Sequence, residues 1–199
     1  MAYLPAFRFS FALFTGIALF SGCCANNVCD CNDAQADAIK IRFARSQSAT
    51  DMVGFTPGDL DTLIVQRYPK DLNTTNFRSV TPETVTLFRT ADRAYDSLVI
   101  NNATPFPQSG TNRIDQYKYV VRYNDPRRAQ RLRPRSVPAL IIDKVELNGS
   151  FEANGCCTCY TNLQKTVTFR QDSTVAPSAA VIIDLKNPSA VLTVDKSKK

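Results

Sequence analysis

A chain of 199 residues with 44% hydrophobic side chains is long and apolar enough for one packed domain, or two small ones at most. It has no histidine, which removes Ser-His-Asp and Cys-His nucleophile pairs, imidazole metal ligands and the commonest general base. Its formal net charge is +6, and with no Gly-rich phosphate loop or dinucleotide fingerprint that basic balance is not a sign of nucleotide chemistry.

The first element is apolar. Arg8 precedes a run from Phe9 to Phe20, followed by the small residues Ser21 and Gly22 and then Cys23. A cationic start, a short hydrophobic stretch and a small-residue cleavage site describe a secretory signal. The run falls well short of the roughly 20 residues that span a bilayer. Extending it back to Leu4 would bury Arg8 in hydrocarbon, which is costly. Phe20-Ser21-Gly22-Cys23 resembles the lipobox of bacterial lipoproteins, with Phe20 where leucine is commonest. Relaxed forms of this kind are familiar in Bacteroidetes-type bacteria. The resemblance implies cleavage after residue 22, acylation of Cys23, export, and anchoring in a membrane of the cell envelope. A nucleic-acid partner does not suit such an address.

Removing residues 1–22 leaves 177 of the 199 residues and, with Arg8 gone, a charge of about +5. Residues 23–37 form a Cys-rich tether. Seven cysteines leave one unpaired in an exported chain. With Cys23 assigned to lipid by the resemblance, two trios remain: Cys24, Cys29 and Cys31, then Cys156, Cys157 and Cys159. Neighbours such as Cys156 and Cys157 bridge each other poorly, because a disulfide wants Cα atoms about 5.5 Å apart with converging Cβ vectors. The economical arrangement cross-links the first trio to the second, with the pairing order left open. The spacings C-x4-C-x-C and C-C-x-C match neither a C-x2-C zinc site nor a C-x-x-C redox motif. No metal and no cofactor is expected.

From residue 38 to 199 the chain alternates with period two. Ala38 to Ala44 puts Ile39, Ile41 and Phe43 on one face and Lys40 and Arg42 on the other. Further strands are predicted at Asp61–Tyr68, Thr84–Arg89, Asp96–Ile100 and Ile114–Tyr123. Four more follow at Ala139–Leu147, Lys165–Arg170, Ala180–Leu185 and Ala190–Val194. Turn-type segments divide them: TPGD at Thr56, VTPE at Val80, TPFPQSG at Thr104, ELNG at Glu146 and KNPS at Lys186. Gln35 to Lys40 suits a single helical turn. The expectation is an all-β, antiparallel β-sandwich, Ig-like or related, of about eight or nine strands. Arg133 to Pro138, RPRSVP, is a candidate break between subdomains. The C-terminal DKSKK reads as a short solvated tail.

Within this frame the residue types limit the chemistry. Without histidine, catalysis falls to carboxylates, as in glycoside hydrolysis. The nearby acids are Asp59 with Asp61, Asp92 with Asp96, and Asp143 with Glu146, each at a strand edge or turn where an acid is expected anyway. Tryptophan, a common sugar-stacking platform, is absent. A carboxylate-based hydrolase of envelope glycans is therefore the alternative, and a non-catalytic accessory, adhesion or ligand-binding domain the leading expectation.

The segment Asp125 to Arg135, DPRRAQRLRPR, carries Arg127, Arg128, Arg131, Arg133 and Arg135. Guanidinium forks suit phosphates and uronates, so this is a candidate site for anionic glycans or lipid headgroups. Tyr117, Tyr119, Val121 and Tyr123 share one face of the preceding strand, as a half-buried sheet face rather than a stacking platform. Asp61-Thr62-Leu63, Asp96-Ser97-Leu98 and Asp172-Ser173-Thr174 resemble O-glycosylation sites of exported Bacteroidetes proteins. Asn73, Asn102 and Asn148 open Asn-x-Ser/Thr triplets.

Overall fold

The computed structural model describes residues 29, 31, 33–47, 54–71, 80–107, 113–125, 135–154, 157–171 and 179–196. Among the described residues nine strands overlap the nine predicted from period-two alternation: β1 Ile39–Phe43, β2 Thr62–Pro69, β3 Glu83–Phe88, β4 Leu98–Ile100, β5 Tyr117–Asp125, β6 Arg135–Asn154, β7 Cys157–Gln171, β8 Val181–Asp184 and β9 Leu192–Val194; β5 starts later than expected because Ile114–Gln116 form a 3-10 turn. They form a six-stranded sheet ordered β3-β2-β5-β6-β7-β8 and a three-stranded sheet ordered β4-β1-β9. β1–β4, β2–β3, β2–β5, β5–β6 and β7–β8 pair antiparallel, and β1 runs parallel to β9. The all-β sandwich expected from the alternation is the fold found. Among the described residues, α-helical turns lie at Asp33–Ala36 (α1) and Pro57–Leu60 (α2), and 3-10 turns at Ala91–Arg93 and Ile114–Gln116.

The chain divides into two compact units, Met1–Asp33 with Ser150–Thr161, and Ala34–Gly149 with Asn162–Lys199. In the larger unit both sheets contribute to one core. Ile39, Ile41 and Phe43 of β1 join Leu98 and Ile100 of β4 and Leu192 and Val194 of β9, against Leu63 and Val65 of β2 and Tyr119, Val121 and Tyr123 of β5. Each fully buried side chain of this size contributes about 1.5–3 kcal/mol by leaving water. The tyrosine face of β5 therefore faces the core and is no exposed platform.

Around Phe55 the aromatic packing is edge-on, with ring centroids 5.2 Å from Phe43 and 5.1 Å from Tyr123. The preceding Gly54 lies against the backbone of Ser46, where a Cβ would come within 2.2 Å of the Ser46 nitrogen, so a side chain has no room there. The segment TPGD, read as a turn, is a capped helical turn. Thr56 accepts from the Asp59 backbone N–H and the Asp59 carboxylate accepts from the Thr56 N–H, with Pro57 entering the helix where its missing N–H does no harm.

Three expectations need correction. RPRSVP is not a boundary: Arg135 opens β6 and Pro138 lies inside it. The register between β5 and β6 shifts there, with Val121 opposite Leu140 and Arg122 opposite Pro138, so Ala139 is the extra residue of a bulge. A proline inside a paired strand is tolerated at such a point because no ladder N–H is required of it. ELNG is likewise no turn, since Glu146 to Gly149 continue β6 without a break. The C-terminal tail is not wholly solvated, because Lys196 is buried.

Candidate functional site

The smaller unit is built on two disulfides. Cys29 bonds to Cys157 with Cα atoms 5.4 Å apart, and Cys31 to Cys159 with Cα atoms 5.2 Å apart, both within the ordinary range. Cys157 and Cys159 are two residues apart on β7, so period two turns both toward one face. Both bridges span 128 residues of sequence, so Cys29 and Cys31 meet Cys157 and Cys159 in the same chain order. The expected cross-linking of the two trios is found for these four cysteines. Bridged, they offer no free thiolate to a metal, and among the described residues no group of three or more acids and cysteines could hold a metal ion. Cys23, Cys24 and Cys156 lie outside the described residues. Disulfides persist in oxidising compartments, so the bridges mark an exported protein. No helix of the described residues is long and apolar enough to cross a membrane.

The end of β6 and the start of β7 carry two rings in this unit. Phe151 and Tyr160 pack at 5.3 Å between centroids, and Phe151 is 70% exposed.

In the larger unit the chain enters β1 through a buried polar knot. Asp37 accepts from Asn102 Nδ2 at 2.9 Å, from Asn162 Nδ2 at 3.1 Å and from Arg113 Nη2 at 3.0 Å. Lys165 Nζ donates to the Ala36 and Ala38 carbonyls at 2.9 and 3.0 Å. Burial holds the Lys165 ammonium below the usual lysine range, with the nearby Asp37 charge acting the other way. The amide of Asn102 is engaged at both ends, since its Oδ1 also accepts from the Ile114 N–H. It is therefore tied into the fold at the first position of its Asn-x-Thr triplet. Of the other candidate modification triplets, Thr62 and Ser97 are half-buried and exposed Asn148 lies in β6; Asn73 and Asp172 to Thr174 lie outside the described residues.

A second charged cluster closes the other end of the chain. Lys196 Nζ donates to Asp59 Oδ2 at 2.6 Å, with side chains 3% and 1% exposed, and its ammonium lies 5.9 and 5.6 Å from the ring centres of Phe55 and Tyr123. Burial alone would raise the Asp59 carboxyl. Hydrogen bonds from Lys196 and from the Thr56 amide and hydroxyl outweigh it and hold the carboxyl below the ordinary value of 3.8. A third pair is sandwiched: the Arg67 guanidinium lies 4.6 Å from the Phe106 ring and 4.5 Å from the Tyr117 ring while donating to Glu83 at 2.6 Å.

The candidate acids are thus distributed among structural tasks. Asp59 is bound by Lys196, Asp96 by Arg93 at 3.0 Å, Asp143 by both Nε and Nη2 of Arg170 at 2.7 and 2.9 Å, and Glu146 by Lys144. Asp61 caps the end of α2 and is exposed, as is Asp92. Glycosidic cleavage asks one carboxyl of a pair to be held protonated. Two of these acids are pushed the other way: a hydrogen bond from Thr90 lowers the Asp92 carboxyl, just as Asp59 is lowered.

Of the arginine-rich segment, Arg127, Arg128, Arg131 and Arg133 lie outside the described residues. Arg135 begins β6 opposite Asp125, so the segment joins two neighbouring strands, β5 and β6. Sequence reasoning missed the Asp37 knot and the Lys196–Asp59 pair, whose partners are far apart in the chain. No family model matches the chain, and no characterised protein or solved structure matches it.

Proposed function

We propose that this is an acylated, exported protein whose β-sandwich is held at an envelope membrane by lipid on Cys23 and works there as a non-catalytic binding or adhesion domain. The observation that carries the reading is the cysteine count. Four of seven cysteines are taken up in two bridges, leaving Cys23, Cys24 and Cys156. Acylation of Cys23 leaves Cys24 and Cys156 as a third, even pair, each from the trio opposite the other. Without acylation one thiol is left over in an oxidising compartment. More than one acyl chain is needed for stable anchoring, which diacylation of the new N-terminal cysteine supplies. Expressed in a bacterial host, the precursor should accumulate uncut when the lipoprotein signal peptidase is blocked by a globomycin-type inhibitor. Normal cutting under the inhibitor, with an unmodified Cys23, is the outcome that ends this reading.

The binding surface under this reading is the connection between β5 and β6, with Arg127, Arg128, Arg131, Arg133 and Arg135. Its ligand is an anionic glycan or lipid headgroup, recognised by guanidinium forks on phosphate or uronate oxygens. Reversing charge at Arg127, Arg128 and Arg131 together should abolish binding to an acidic polysaccharide at low salt. Retention of the full affinity by the triple variant would remove the loop from the account.

A further inference from the structure

Exposure of one aromatic ring carries no message by itself. Position does. Phe151 and Tyr160 pack with their rings tilted by 60° near the end of the β6–β7 hairpin, within the small unit that holds the two bridges. Six peptide steps separate Cys23 from Cys29, which is about 20 Å of chain even when fully extended. Adding the 5.4 Å across the bridge, Cys29 keeps Cys157 within about 25 Å of wherever the Cys23 sulfur is held, and the ring pair, three residues further along β7, within about 35 Å. If that sulfur carries acyl chains, it lies at the headgroup layer, and the two rings stay within reach of the bilayer.

The chemistry of the hairpin end fits that neighbourhood. From Ser150 to Thr161 the one charged side chain is Glu152, so no cationic group is present to seek anionic headgroups. A phenyl ring beside a phenol, apolar in body with one polar tip, is the side-chain type that collects at membrane–water interfaces. A short tether also raises the effective concentration of the bilayer at the tip into the millimolar range, so even a weak preference is populated.

We propose that the Phe151–Tyr160 ring pair at the end of the β6–β7 hairpin inserts into the interfacial layer of the bilayer that holds the lipid on Cys23. This rests on acylation of Cys23, and it adds a second, non-covalent membrane contact that sets which end of the smaller unit meets the bilayer.

The chain has no tryptophan, so Phe151→Trp installs a single fluorescent reporter. The full acylated variant is reconstituted into phosphatidylcholine vesicles with plain or brominated acyl chains, and its flotation with the vesicles is measured alongside. The reporter should be blue-shifted relative to the same variant carrying Cys23→Ser in buffer, and it should lose emission to the brominated lipid. The loss should be equal at low and high salt, because no ion pair with the headgroups is involved. Should that chain fail to fold, Tyr160→Trp takes its place with the same expected result. Water-like, unquenched emission from protein that floats with the vesicles overturns the insertion and leaves the anchor standing. Protein that does not float overturns both.

Discussion

Replacing Lys196 by methionine is expected to destabilise the domain by about 3–5 kcal/mol at neutral pH, the range for removing one partner of a buried ion pair. Methionine keeps most of the volume but leaves the Asp59 carboxylate 1% exposed without its cation. The pH dependence gives the test its sign. In the wild-type chain the Asp59 carboxyl is held below 3.8, so its contribution is present above that value and is lost as pH falls through the depressed one. In Lys196→Met the lysine no longer opposes the effect of burial, so the Asp59 carboxyl rises toward the neutral acid, the form an uncompensated buried site favours. The gap between variant and wild type, read from urea unfolding, should narrow as pH drops from about 7 toward 4. Pairing the change with Asp59→Asn removes the orphaned charge and should recover part of the loss even at neutral pH. A variant as stable as wild type at neutral pH would show that the pair holds nothing.

The second large effect is non-additive. Each bridge spans 128 residues, and closing a loop of that size stabilises by about 5 kcal/mol on the chain-entropy account. Once either bridge exists, the other closes a ring of only a few residues and adds about 2 kcal/mol. Removing Cys29–Cys157 as a Ser pair should therefore cost about 2 kcal/mol, and so should removing Cys31–Cys159. Removing both should cost about 7 kcal/mol, well beyond the sum of the single losses. Denaturant midpoints of the three variants, measured with Cys24 and Cys156 replaced throughout, give the comparison. Losses that simply add would mean that each bridge acts locally.

What period two can carry was readable in the chain. Ile39, Ile41 and Phe43 face inward between Lys40 and Arg42, and this local arithmetic placed each of the nine strands. The lengths of β6 and β7 were not readable. Pro138 and Asn148-Gly149 are turn formers by intrinsic preference, yet partner strands keep them extended, and a bulge at Ala139 absorbs the proline. The buried lysines escaped for a related reason. Lys196 and Asp59 are 137 residues apart, and Lys165 and Ala36 are 129 apart, so no window of sequence contains both.

The staple was half legible. Two trios could be counted, but their register could not be assigned. A usable signal was present: Cys29-x-Cys31 and Cys157-x-Cys159 have matching spacing, and two strands side by side pair cysteines only when the intervals agree. The acid candidates failed in the opposite direction. Nearness in sequence suggested Asp59 with Asp61 and Asp143 with Glu146, whereas the fold gives three of those four separate roles: a buried pair, a helix end and a bidentate arginine clamp.

Intact mass of the protein extracted from the host's membranes, taken before and after reduction, reaches the premise shared by the anchor and the pairing scheme. The expected species starts at residue 23, carries acyl mass on that sulfur, and gains six hydrogens on reduction, two for each of three bridges. A mature chain that starts elsewhere without acyl mass, or that yields a free thiol before reduction, contradicts it.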